Sequence, residues 1–364
     1  MKFIDLHLNP DEKDYTVEEV FKKYSSNINY VYALKPGIEA LFVQHAAEAA
    51  DFVKEGVRFL VKKGFRKSRW QTFLFLFLEL RQFKPKVILL HGMVYPVQII
   101  LAKIVFGRHT KLIIQHHAEK PYSGFWGLMQ KVAGYCVSAF LVVSKKQAAP
   151  WIQKGIIASE SLVYEVMEGS NGFEAADYIN EDKEAPVFLW VGRLDANKDP
   201  LCVLRAFKEF VKVTPRAQLH MIYGSTDLLA DMELFIGQAD LEQHVRLIGF
   251  VKHAYLESYF KYSDYFILAS HYEGSGYALC EAMACGCVPI VSNIPSFRRM
   301  LNDGDCGYLF EPGNDRDLLE KMLSLNADDY RPLRKKVLRK FETDLSFEAI
   351  ANNLSELILK LGKD

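Results

Sequence analysis

The sequence predicts an α/β protein built as two domains, each a parallel sheet wrapped by helices. Short apolar runs alternate with helical segments along the whole chain, the signature of strand–helix–strand units. The 364 residues exceed what one typical core holds. Half of them are apolar and a quarter charged, as in ordinary globular proteins, and no repeat or low-complexity tract interrupts the alternation.

In the N-terminal half, Lys2–Leu8 reads as the first strand and Ile28–Leu34 as a second. A helix is expected over 44–54, then a strand Val57–Val61 after the Glu55-Gly56 turn. Lys86–Leu90, Lys111–Gln115 and Ala139–Val143 continue the strands. Helices are expected at Val94–Phe106, Phe125–Cys136 and Ser144–Lys154. Asn171-Gly172 is a turn signal, and the polar, acidic stretch 174–185 reads as a linker. The predicted organisation is a first domain 1–178, a second domain 179–345 and a terminal helix 346–364. That helix carries an apolar stripe at Ile350, Leu354, Leu357, Ile358 and Leu361.

The net charge is zero, yet the halves differ. Residues 1–178 hold 23 Lys/Arg against 17 Asp/Glu, and the remainder 22 against 28, so +6 faces −6. A basic first half fits an anionic partner. Within it, residues 62–69 (KKGFRKSR) place five cations in eight positions, directly before Trp70 and the run Phe73–Leu78. The apolar run is too short to span a bilayer. It fits either an edge that meets anionic lipid or a solvated loop followed by a core-packed helix. Six scattered cysteines form no paired framework, and with no signal peptide they point to a reducing cytoplasm.

The second domain opens with the strand Pro186–Val191, which runs into Gly192-Arg193-Leu194-Asp195-Ala196-Asn197-Lys198-Asp199. Arg193 offers a rigid fork of donors and Lys198 a mobile point charge, a pair suited to a diphosphate. Helix Asp199–Val213 and strands Gln218–Ile222, Val245–Ile248 and Asp264–Leu268 follow. Then comes Tyr272–Ser292, YEGSGYALCEAMACGCVPIVS. Glu273 precedes the turn Gly274-Ser275-Gly276, helix Tyr277–Ala284 carries Glu281, Gly286 stops it, and Cys287–Val291 reads as a buried strand. A glycine turn opening a helix presents unpaired N–H groups to an anion, and carboxylates suit vicinal hydroxyls. On spacing alone, Glu273 and Glu281 also fit two surface glutamates.

Glu273 and Glu281 form the E-x7-E signature, and EAMACGCVPIVS its continuation, so the chain resembles the retaining glycosyltransferases of group 1, family 4-like. The resemblance covers essentially the whole chain and is strongest from 186 to 313. It implies the GT-B fold, two Rossmann-like domains facing across a cleft, with the terminal helix returning to the first. It implies that Glu273 holds a donor-sugar hydroxyl, Glu281 the ribose, and Gly192, Gly274, Ser275, Gly276 and Tyr277 the rest of the donor. Arg193 and Lys198 then match the family's Gly-Arg-Leu…Lys element. Of His116 and His117, which end the strand Lys111–Gln115, His117 is taken as the family's cleft histidine. The loop after the first strand departs from the family, with Asn9-Pro10-Asp11-Glu12 in place of adjacent glycines, so no site residue is placed there.

The implied enzyme transfers a hexose-type sugar from a nucleoside-diphosphate donor to a glycan, lipid-linked or small-molecule acceptor, as in polysaccharide biosynthesis. No cofactor, metal or nucleic acid is expected. Asp303-Gly304-Asp305 and Asp315-Arg316-Asp317 read as turn and capping residues, and Cys280, Cys285 and Cys287 match no zinc spacing. The expected location is cytoplasmic, peripheral on the inner face of the membrane through residues 62–78. A non-catalytic nucleotide-sugar-binding protein on the same fold is the rival reading.

Overall fold

The computed structural model describes residues 1–9, 14–64, 70–175 and 185–363. The chain divides into two compact units. One comprises Met1–Ser170 together with the segment from Phe347 onward, the other Asn171–Ser346. Most of the expected linker, 176–184, lies outside the described residues.

The first unit holds an eight-stranded sheet: β1 (Lys2–Leu6), β2 (Glu39–Ala46), β3 (Ala50–Lys54), β4 (Val57–Lys63), β5 (Val87–His91), β6 (Lys111–Gln115), β7 (Ala139–Val142) and β8 (Val163–Glu165). Their order is β3-β4-β2-β1-β5-β6-β7-β8, parallel except for β3 against β4. β5 and β7 are buried along their whole length, which is why they read as continuous apolar runs rather than alternating ones.

Two expectations fail here. The Ala-rich stretch 44–54 is not helical: it ends β2 and forms β3. β2 lies between β1 and β4 with all but its first residue buried, and pairing overrides helix propensity. Glu55 (φ 50°) and Gly56 (φ 81°) form the two-residue turn that folds β3 back on β4, a connection that demands positive φ at both positions. Residues 28–34 are likewise not a strand but helix Ser25–Ile28 and a 3₁₀ turn Asn29–Ala33. Buried Ile28, Tyr30 and Val31 face inward without a two-residue period. That turn is the seat of the terminal helix Phe347–Leu361, which buries Ile350, Leu354, Leu357 and Ile358. Lys35 clamps the join, its N–H donating to Ser355 Oγ at 3.0 Å and its Nζ pairing with Glu356 at 3.0 Å.

The second unit holds β9 (Val187–Gly192), β10 (Gln218–Tyr223), β11 (Val245–Gly249), β12 (Tyr265–Leu268), β13 (Val288–Ser292) and β14 (Tyr308–Phe310). All pairings are parallel, in the order β11-β10-β9-β12-β13-β14. This is a doubly wound sheet whose order reverses between β9 and β12. Connections leave such a pair in opposite directions and open a crevice at the C-terminal strand ends. The first unit reverses in the same way between β1 and β5. These two places position the two clusters described below, Lys198 with Glu273 and Asp5 with His91 and His117.

Among the described residues no helix is long and apolar enough to cross a membrane. All six cysteines are free and five are buried.

Candidate functional site

In the second unit, the loops after β9 and β12 meet at the reversal point. Lys198 Nζ pairs with Glu273 Oε1, and Ser270 Oγ donates to the same oxygen at 2.7 Å. Both charged side chains are largely enclosed, 15% and 13% exposed, so the pair is fixed rather than splayed into solvent. The backbone holds it there. Lys198 N donates to Asp195 Oδ1 at 3.0 Å, His271 N to Asn197 O at 2.8 Å, and Asn197 Nδ2 to Tyr272 O at 3.0 Å. Asp199, left-handed at φ 40°, caps helix Pro200–Phe210 through Cys202 N and accepts from His271 Nε2 at 3.2 Å.

Gly192 ends β9 where a Cβ would stand 3.1 Å from the Trp190 ring and 3.6 Å from Lys198 Cγ, so a side chain here would crowd the tryptophan while only touching the lysine. Arg193 is not drawn into this pair. Its guanidinium is 67% exposed and meets Asp195 Oδ2 at 3.2 Å.

Gly274, Ser275 and Gly276 lead into helix Tyr277–Cys285. Gly276 sits at φ 67°, and a Cβ would come within 2.6 Å of the Phe297 ring, so both conformation and space require glycine. A glycine cap has no side chain to satisfy the first-turn N–H groups, which is the arrangement that receives an anion. Ser275 is buried under this turn. Glu281 lies deeper, largely buried, with one carboxylate oxygen accepting from His253 Nε2 at 2.7 Å. That hydrogen bond raises the His253 pKa against the opposing effect of burial, and the ring stacks on Phe173 at 5.0 Å. Glu273 and Glu281 thus have different partners on different turns.

The Asp-x-Asp pairs serve structure. Asp303 pairs with Arg298, Asp305 with Lys336 at 2.7 Å, and Asp317 accepts from Glu311 N at 2.7 Å.

In the first unit the two neighbouring histidines separate. His116 is buried against the edge of Trp151 and bonds Glu119 O at 3.1 Å. His117 turns the other way, its Nδ1 2.6 Å from Glu168 Oε1 and its Nε2 3.0 Å from His91 Nδ1. His91 Nε2 in turn lies 2.7 Å from Asp5 Oδ1, and the Tyr30 hydroxyl donates to Asp5 Oδ2. Both ring nitrogens of His117 are therefore engaged by its own unit. Asp5, His7 and His91 bring three ligand-type atoms within 4.8 Å of one another. The His7 and His91 rings stack at 3.7 Å and 14°, so their in-plane lone pairs run side by side instead of converging on one ion.

His253, Ser270, Asp5, His91 and Glu168 are not among the site residues expected from the sequence. Asp5 and His91 carry a visible signal: a charged or titratable residue inside an otherwise apolar strand run is rarely buried without a partner. His253 carries none: it reaches Glu281 from a segment 28 residues earlier in the chain.

Residues 174–340 match the family described as glycosyl transferases group 1. Among curated proteins, the chain is 29% identical over 43% of its length to N-acetylgalactosamine-N,N'-diacetylbacillosaminyl-diphospho-undecaprenol 4-alpha-N-acetylgalactosaminyltransferase of Campylobacter jejuni, 40% of which is covered. It is 31% identical over 47% of its length to phosphatidyl-myo-inositol mannosyltransferase of Mycolicibacterium smegmatis, 45% of which is covered. The chain thus spans less than half the length of these relatives. Among solved structures, sucrose-phosphate synthase from Thermosynechococcus elongatus superposes with TM-score 0.71 at 16% identity, covering 99% of each chain. HepE from Anabaena, solved in complex with UDP, gives 0.72 at 15% identity, covering 99% of this chain and 100% of that one. The fold is GT-B.

Proposed function

From a chain that belongs, through residues 174–340, to the group 1 glycosyltransferases, we propose an enzyme that moves a hexose-type sugar from a nucleoside diphosphate to a lipid-linked or glycan acceptor with retention of configuration. The observation that carries this reading is the Lys198–Glu273–Ser270 cluster beside the glycine-capped helix at the reversal of the second sheet. The helix N-terminus and Lys198 receive the diphosphate, with Arg193 swinging from Asp195 to join them. Glu273 takes a sugar hydroxyl, and Glu281, steadied by His253, takes the ribose.

No protein nucleophile stands in this cluster. Transfer proceeds on the front face, with the departing phosphate taking the acceptor proton, so catalysis is positioning plus stabilisation of diphosphate charge. The cations and helix N-terminus meet that charge, and the reading calls for no metal or cofactor.

The lipid-linked acceptor draws support from relatives named for diphospho-undecaprenol and phosphatidyl-inositol acceptors. It also draws on the outer face of the first unit. Phe125, Trp126, Leu128 and Val132 are exposed on helix Gly124–Gly134, and Phe75 and Leu78 on helix Trp70–Arg81. We place the enzyme on the cytoplasmic side, peripheral to the membrane.

The test is hydrolysis of a panel of nucleoside-diphosphate sugars, with and without chelator. Slow release of sugar from at least one donor, unchanged by chelator, is expected. A donor that binds without turnover supports the rival binding protein and overturns the proposal.

A further inference from the structure

We propose that Asp5 and His91 are positioning residues for His117, forming with Glu168 one hydrogen-bonded chain that holds one proton more than two neutral imidazoles carry, at the reversal point of the first sheet. The functional half of this inference rests on the transferase reading above; the chain itself rests on geometry alone.

The chain has three gaps. Glu168 Oε1 to His117 Nδ1 is 2.6 Å, His117 Nε2 to His91 Nδ1 is 3.0 Å, and His91 Nε2 to Asp5 Oδ1 is 2.7 Å. Each gap needs one proton to be attractive. Two ionised carboxylates supply none, and two neutral imidazoles supply one each. Two protons cannot fill three gaps. Without a third, two ring lone pairs face each other at 3.0 Å or a carboxylate faces a bare ring nitrogen. The arrangement therefore requires one further proton, either on a ring, which makes an imidazole–imidazolium pair between carboxylates, or on a carboxylate.

The surroundings place that proton toward His117. Burial raises Asp5, but the Tyr30 hydroxyl donates to its other oxygen and keeps the carboxylate form in play. Burial and the neighbouring His117 lower His91, and burial lowers His7, which stacks on it. Burial also opposes charge on His117, yet Glu168, Glu119 and Asp5 outweigh it and raise the pKa. Glu119 holds the loop as well, Oε2 accepting from His117 N at 2.7 Å and Oε1 from Met93 N at 3.0 Å. His45, buried beyond His7, is pushed down to about 4 and contributes no charge at neutral pH. The consequence is a fixed cation whose ring cannot rotate, because both nitrogens are tied. Asp5 and His91 keep it so without touching a substrate.

The experiment is ¹⁵N NMR of the imidazole rings in the full-length protein across pH, with His117→Gln to identify its signals. The expected result is that His91 and His117 change together at one midpoint above the ordinary histidine value near 6.5. Asp5→Asn is expected to move that midpoint down by about one pH unit, the effect of removing one close opposite charge. His91→Gln, which keeps an amide between the neighbours but cannot titrate, is expected to leave one titrating ring where there were two. Two rings titrating independently, or an Asp5→Asn midpoint equal to wild type, overturns the chain.

Kinetics separate the two claims. The alkaline limb of kcat is expected to follow the NMR midpoint and to shift with it in Asp5→Asn, while KM for donor moves less than about twofold. A chain that titrates as described in a protein without transferase activity supports the chain and sinks the functional reading. Transfer whose pH profile ignores the midpoint overturns the positioning role.

Discussion

The two units place charged groups at the same topological point and fill it in opposite ways. In the first, the reversal between β1 and β5 is closed by the unit's own side chains: Asp5 and His91 from the strands, then His117 and Glu168. Each ring nitrogen in that line is spoken for. In the second, the reversal between β9 and β12 carries the enclosed Lys198–Glu273 pair, an exposed arginine paired with Asp195 and a helix N-terminus capped by glycine alone. The difference teaches what each crevice is for. A crevice filled by its own side chains leaves them to act on one another; a crevice where a helix opens on a glycine cap is suited to a charge from outside.

The sharpest way to break this comparison is at Lys198. If its cation neutralises a departing diphosphate, Lys198→Ala lowers kcat by about a hundredfold or more, as when one preorganised donor is lost. Donor KM rises far less, because charge on the bridging oxygen grows only as the bond breaks. Lys198→Arg does not fully restore the rate, since a planar fork cannot reproduce one ammonium against Glu273 and Ser270. Arg193→Ala is expected to lose less than Lys198→Ala, because the exposed guanidinium must first leave Asp195. The double variant loses less than the product of the single losses. Steady-state kinetics on the four proteins at saturating acceptor decide it. An unchanged kcat with a raised KM would make both residues ground-state binders.

The site of the second unit is largely legible in the sequence, for a physical reason. It is built from contiguous turns: a strand end with Gly-Arg and Lys six residues on, and a helix opened by glycine with carboxylates at fixed offsets. Local geometry forces those residue types into those positions, so sequence spacing carries them. The cluster of the first unit is assembled from four separate segments by sheet order alone. Nothing in the spacing of Asp5, His91, His117 and Glu168 announces that β1 and β5 are neighbours. The same holds for β3, where a fixed tertiary neighbour turns a helix-like composition into a strand, and for His253, which reaches Glu281 from another helix.

A smaller effect is expected at Glu281, and it sharpens the contrast between the two glutamates. Glu281→Ala weakens the bare nucleoside diphosphate by about 1.5–3 kcal/mol, the range for a charged hydrogen bond, while Glu273→Ala leaves it intact and impairs only the sugar donor. His253→Ala is expected to weaken the bare nucleotide about fivefold by releasing the Glu281 carboxylate. The pH dependence has a definite sign. The folded-state pKa of His253 is raised, so its charged contribution is fully present below the ordinary histidine value and is lost as pH rises through the raised one. Nucleotide affinity therefore falls over that window in wild type and is flat in His253→Ala. Calorimetric titration with the nucleotide at several pH values measures both. Equal loss of bare-nucleotide affinity in the Glu273 and Glu281 variants would overturn the division of roles.

The smallest effect on chemistry is expected at the outer face of the first unit, and it asks whether that unit's basic excess meets a membrane. The cations of 62–69 are only partly in view: 65–69 lie outside the described residues, and Lys62 is paired with Glu79 at 2.7 Å. The better-formed surface is helix Gly124–Gly134, where Phe125, Trp126 and Leu128 are exposed with Lys131 on the same helix. The two features separate by salt. Charges near an anionic surface are each worth about 1 kcal/mol and are screened within a Debye length, whereas buried aromatic area is not. Neutralising Lys62, Lys63, Arg66, Lys67 and Arg69 together is therefore expected to weaken vesicle binding at low salt and to matter little at high salt. Phe125→Ser with Trp126→Ser weakens it at both. Co-sedimentation with vesicles of mixed neutral and anionic lipid reads this directly. Hydrolysis of a soluble donor is expected to stay within about twofold of wild type in both variants, because the donor cluster is built from residues of the second unit. If wild type fails to sediment with anionic vesicles at low salt, the basic stretch is a solvated loop and the exposed aromatics serve something other than lipid.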